Sequence, residues 1–143
     1  MKKQIMLLVI AGFVMQANAQ KLITRDVPSS VTSAFNTSHP SITDVEWRKD
    51  GNNYVVEYDA DKTDMFVTYD ALGTLIQTAS EISSSLIPAP AMEYVKTNYK
   101  EDEIRDASKI TDSNGTVTYS GKVKGMLLFF DSKGIFIRGE KNK

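Results

Sequence analysis

Two stretches of this chain repeat each other, and that repeat limits what it can fold into. At an offset of 61 residues, Val56 to Ala79 aligns without gaps on Val117 to Glu140. The identities are Val56/Val117, Tyr58/Tyr119, Met65/Met126, Asp70/Asp131, Gly73/Gly134 and Ile76/Ile137. Close replacements are Phe66/Leu127, Val67/Leu128, Tyr69/Phe130 and Leu75/Phe136, and Val27-Pro28 recurs as Ile87-Pro88. Two copies are too few for an open solenoid, which needs about three or more. The pattern therefore predicts a duplicated half-domain closing over one core.

Each copy opens with a proline-led helical pattern. Pro28 suits an early helical position, Val31, Ala34 and Phe35 follow at helical spacing, and Pro40 stops the run. In the second copy Pro88 and Pro90 lead Ala91, Tyr94, Val95 and Tyr99. Such helices have about three turns, are marginal alone, and must dock on something. Runs of period-two alternation supply it. They predict strands over 43–49, 53–60, 64–70 and 74–80, then over 103–111, 116–122, 125–131 and 135–140. The matched Asp-x-x-Gly turns, Asp70 to Gly73 and Asp131 to Gly134, combine an acceptor for backbone N–H groups with a residue free to take positive φ. The fold class is α+β: two tandem helix-plus-four-strand repeats, 27–80 and 87–140, forming an antiparallel sheet with helices on one face. A serine-rich connector, 81–86, joins them.

Alternation also sorts the faces, because residues two apart share a side. Val56, Tyr58, Met65, Val67, Tyr69 and Ile76, with Val117, Tyr119, Met126, Leu128, Phe130 and Ile137, form the expected core face, covered by Phe35 and Val95. The other face is polar in the first copy, with Glu57, Asp59, Thr68 and Gln77. The second copy breaks the rule by placing Leu127, Phe129 and Phe136 there.

Residues 1–19 read as an export signal. Lys2 and Lys3 precede an apolar run from Ile5 to Met15, and Ala17-Asn18-Ala19 gives the small-x-small pattern that signal peptidase reads. The run is short of the roughly 20 apolar residues a membrane span needs. Cleavage would leave residues 20–143 with 15 basic against 18 acidic side chains. A mildly acidic domain without a basic stripe is not a nucleic-acid binder. With no cysteine, disulfides, thiol catalysis, thiolate metal sites and a lipidated cysteine are all excluded.

The order Val27-Pro28, Val31, Ala34-Phe35, Pro40 and Val45-Glu46-Trp47, then Tyr54 to Tyr58, then Val67 to Gly73, resembles the PepSY-like family of exported bacterial proteins. The resemblance covers nearly the whole of 20–143, although no tryptophan answers Trp47 in the second copy. It implies a β-lactamase-inhibitor-like fold, helices on one side of about eight antiparallel strands, and a periplasmic or secreted location. It implies no catalytic activity; binding or inhibition of another protein is the analogy it offers.

Candidate sites are few. The single histidine, His39, precedes Pro40 at a helix end and reads as a cap or a water-facing side chain. Glu101-Asp102-Glu103 reads as a solvated loop. Asp59-x-Asp61-x-x-Asp64 starts like a calcium loop but lacks its glycine and distal glutamate, so it reads as a hairpin turn. Trp47 faces away from Glu46 and Arg48 and reads as packing. The best candidate is the apolar set Phe66, Leu75, Leu127, Phe129 and Phe136 on the helix-free sheet face. Either it receives a protein or peptide partner, or it is buried by the chain itself, by residues 20–26 or by a second subunit. The expectation is a non-catalytic exported binding or inhibitor-like module without metal or cofactor. The alternative is a carrier or sensor of a small molecule or ion using the same face.

Overall fold

The computed structural model describes residues 20–101 and 103–142, so the expected export signal and Asp102 lie outside the described residues. Nine strands are hydrogen-bonded to their neighbours in chain order. They are β1 (Gln20–Leu22), β2 (Glu46–Asp50), β3 (Asn53–Ala60), β4 (Thr63–Tyr69), β5 (Leu75–Glu81), β6 (Arg105–Asp112), β7 (Val117–Val123), β8 (Met126–Asp131) and β9 (Phe136–Lys141). Helix α1 (Ser29–Ser38) precedes β2, and α2 (Ala89–Tyr99) precedes β6. The expected antiparallel sheet and two helices are present, but the described sheet has nine strands where two helix-plus-four-strand repeats account for eight. Residues 20–22 pair antiparallel with β2, Leu22 opposite Trp47, and so extend the sheet edge. The connector also differs from expectation: β5 continues to Glu81, and Ser84–Leu86 forms a 3₁₀ turn matching Thr24–Asp26 before α1.

Contacts divide the chain into two compact units, whose described parts are 20–58 with 66–77, and 59–65 with 78–142. In the first, α1 buries Val31 and Phe35, one helical turn apart. Phe35 meets Trp47 edge-on at 5.8 Å and Tyr58 at 5.6 Å between ring centroids, so Trp47 is core packing at 2% exposure. In the second, α2 buries Ala91 and Val95 at the matching positions. They pack with Ile104, Ala107, Val123, Leu128 and Phe130.

Local chemistry closes each turn as its sequence requires. Asp70 Oδ1 accepts the N–H groups of Leu72 and Thr74, both at 2.9 Å. Asp131 Oδ1 does the same for Lys133 and Ile135, and Asp112 Oδ1 for Asn114 and Thr116. The Thr74 and Leu72 N–H groups hold the Asp70 carboxyl below the usual carboxylate range. A carboxyl lowered in the folded state contributes stability that is full above its unfolded pKa and lost as pH falls through the folded one. The stability difference between the natural chain and Asp70→Asn is therefore expected to shrink between about pH 5 and pH 2. Urea titrations across that range check it; a constant difference would sink it.

The gapless repeat alignment needs one adjustment. Asp61 and Lys62, both at positive φ, turn the β3–β4 hairpin, whereas Lys124 and Gly125 turn β7–β8. The second turn thus lies two residues later than the 61-residue offset places it. An even shift keeps every side chain on its own face, which is why alternation still sorts β3 and β7 correctly. The Asp59 carboxylate accepts the Lys62 N–H at 2.9 Å, the bond of a hairpin turn.

Candidate partner-binding face

In each unit one sheet face carries the helix and the other does not. On the second unit, β8 offers Leu128 and Phe130 to α2 and turns Leu127 and Phe129 away. Register sets their neighbours. Phe129 stands opposite Ser120 and Arg138, Leu127 opposite Lys122 and Glu140, and Ile110 opposite Thr118. Sequence alternation places Phe136 beside Phe129 and Leu127, and the structure does not. The β8–β9 pairing shifts register between Phe129 and Phe130, so Phe136 comes opposite Phe130 and Ile137 is the extra residue. One inserted residue turns the side chains before it to the other face. Phe136 accordingly stacks on Tyr94 of α2 at 4.3 Å and 9°. It belongs to the helix side.

The remaining candidates differ in exposure. Phe129 is 0% exposed, while Phe66 and Leu127 are also buried; Leu75 is 42% exposed. The face is therefore not an open apolar patch. Ile110, Thr118 and Ser120 are buried on it too. The Arg138 guanidinium lies over Phe129, 3.8 Å from its ring centroid. Arg138 also pairs with Glu140 on its own strand, and burial holds its pKa below the usual arginine value. Its second terminal nitrogen is buried without a hydrogen-bond partner among the described residues. Alternation places Arg138 and Glu140 on this face, but only the shifted register lays the guanidinium over the ring.

The first unit carries a charged layer on the corresponding face. Lys21 binds Glu46 at 3.2 Å, Arg48 binds Glu46 at 2.7 Å, and Arg48 approaches Glu57 at 3.4 Å. The Lys21 and Arg48 donors hold the Glu46 carboxyl below its ordinary range. Beside this layer Thr68 and Gln77, expected to meet solvent, are buried. Thr68 Oγ1 and Gln77 Oε1 lack hydrogen-bond partners among the described residues. At the 61-residue offset they correspond to Phe129 and Arg138. The same two positions thus hold a neutral polar pair in one copy and a cation over an aromatic ring in the other.

Two other features are accounted for. His39 is the C-cap residue of α1 and, half-buried, stacks on Phe35 at 4.6 Å with Tyr58 at 5.3 Å, so its ring contacts are packing contacts. A cleft of about 410 Å³ in the second unit is lined by Glu101, Glu103, Arg105, Asp106, Lys122 and Lys124 among others. Its cations are already held: Lys122 by Asp106 at 2.9 Å, Lys124 by Glu101 at 3.1 Å and Arg105 by Glu103 at 3.2 Å. Those walls are charged, unlike the apolar lining typical of small-molecule pockets. Among the described residues no helix is long and apolar enough to cross a membrane.

A family model provisionally described as β-lactamase-inhibitor-like and PepSY-like matches residues 14–77 and again 77–138. Solved structures share the fold. A protein of Bacteroides eggerthii provisionally described as periplasmic superimposes with a TM-score of 0.67 at 15% identity, covering 80% of this chain and 88% of its own. A DUF2874 family protein of Bacteroides uniformis gives 0.67 at 16% identity over the same shares. A BLIP-like protein of Bacteroides fragilis gives 0.60 at 20% identity, covering 80% and 86%. Comparison with curated protein sequences finds no match.

Proposed function

The chain belongs to the PepSY-like, β-lactamase-inhibitor-like family, and from that premise we propose that it is a non-catalytic binding module of the bacterial periplasm, inhibitor-like in mode, holding a protein or peptide partner on the helix-free face of its sheet. The observation that carries this reading is the Arg138–Phe129 stack. A guanidinium held over a buried ring and paired with Glu140 is preordered, and arginines so held are common anchors of protein interfaces. Around it the second unit offers Lys122 and Glu140, a polar rim over buried Phe129 and Leu127. The first unit, taken by itself, carries Lys21, Glu46 and Arg48 on its own helix-free face. Phe129 and Leu127 serve in this reading as the platform beneath the contact surface of the second unit; in the first unit Phe66 is buried and Leu75 exposed. Location in the periplasm is supported by the export pattern of residues 1–19 and by the description of the B. eggerthii relative.

Photo-crosslinking in the native envelope tests it. A crosslinking residue at Lys21 or Lys122, on the helix-free face, is expected to trap a discrete protein adduct. One at Asn36 or Lys96, exposed on α1 and α2, is expected to give none. Adducts only from the helix positions, or from all four alike, would overturn the face assignment.

A further inference from the structure

A second surface is defined by the backbone rather than by side chains. Strand β9 is the last in the sheet order, and among the described residues its outer edge pairs with no strand. In the first repeat the matching strand, β5, does have a neighbour on that edge, β6. The direction of the free groups on β9 follows from its pairing. Asn142 N–H donates to Gly125 O, so the even-numbered residues of this stretch direct their backbone groups toward β8. Gly139 and Lys141 therefore direct theirs outward. An unpaired edge is a template for another strand unless its side chains repel one.

The side chains of β9 are self-complementary. Arg138 and Glu140 flank Gly139 symmetrically and share one face. We infer that this edge is a self-association surface: two copies of the chain pair β9 against β9, antiparallel, with the two-fold axis at Gly139. Gly139 then exchanges both backbone hydrogen bonds with its counterpart. Arg138 of each copy stands opposite Glu140 of the other, at non-hydrogen-bonded positions, where Cα atoms approach to about 4.5 Å and side chains are closest. The buried guanidinium nitrogen of Arg138 that lacks a partner gains a carboxylate acceptor within reach. Parallel pairing would remove the charge match, and antiparallel pairing displaced by two residues would set Arg138 opposite Arg138 in one direction and Glu140 opposite Glu140 in the other. The contact is isologous and closes as a dimer.

Sedimentation equilibrium across the micromolar range tests this on the purified chain and three variants. The natural chain is expected to be a monomer–dimer system. Lys141→Pro removes an outward N–H that β8 does not use and is expected to weaken the dimer about tenfold or more. Arg138→Glu and Glu140→Arg each place like charges opposite one another and are expected to be monomeric alone. Mixed together, they regain complementary pairs and are expected to form a heterodimer. Far-ultraviolet circular dichroism verifies that each variant is folded. Should Arg138→Glu fail to fold without its stack on Phe129, Glu140→Arg and Lys141→Pro alone decide the matter. A strictly monomeric natural chain would overturn the inference, and so would a dimer unaffected by the folded variants.

Discussion

Replacing Phe129 by alanine is expected to cost about 3–5 kcal/mol of folding stability, the range for a large ring removed from a tightly packed site. The ring is fully excluded from solvent, and the Arg138 guanidinium rests on it at 3.8 Å. Truncation leaves a cavity and also deprives that cation of its stacking surface. Urea unfolding of the natural chain and of Phe129→Ala measures the difference. The contrast is Leu75→Ala, 42% exposed and on the same list of apolar candidates, expected to change stability by less than about 1 kcal/mol. A loss below about 1 kcal/mol at Phe129 would mean that the helix-free face is open, and would remove the preordered Arg138 from the functional reading.

The second large effect is expected at Gly73. Its φ is +81°, and a Cβ built there would stand 2.4 Å from Ser30 O, a backbone atom of the first turn of α1. The Asp70–Gly73 turn is seated directly on the helix start, where Ser30 Oγ also donates to Ala71 O at 2.8 Å. Gly73→Ala is expected to destabilise by about 2–4 kcal/mol, combining left-handed backbone strain with a contact that only a shift of the helix can relieve. Gly115 isolates the first component. It has φ +83° with nothing within 4 Å, so Gly115→Ala is expected to cost only about 1–2 kcal/mol. Thermal or urea unfolding of the two variants separates turn strain from helix seating. Equal losses would show that the seating contributes nothing. Gly134 repeats the arrangement against Pro88 and Ala91, which explains why this glycine is one of the few identities the two copies share.

Much of the fold was legible because it is written in local chemistry. Alternation located β3 at its observed bounds and most of the others within one or two residues, and the prolines located both helix starts. The turn aspartates bind the N–H groups that their spacing implies. Strand β1 was not legible, since three residues carry too little pattern to show a period, and its pairing depends on β2, more than twenty residues away. Of the candidate site, the apolar identity of Phe129 and Leu127 and their face were readable. Their burial was not, because exposure depends on what the neighbouring strand lays across them.

The amino-acid sequence by itself determined the duplication, read at an offset of 61 residues, and also the order of helices and strands and the chemistry of each turn, which are set by spacings shorter than about ten residues. The tertiary structure decided what the helix-free face is made of. Side-chain direction in a strand has a period of two only while the register is unbroken. A single extra residue opposite Phe129 and Phe130 sends Phe136 to Tyr94 and brings Arg138 over Phe129. A predicted apolar patch thereby became a buried layer under a cation, and no alternation count could have placed that residue, because the shift exists only in the pairing of two strands.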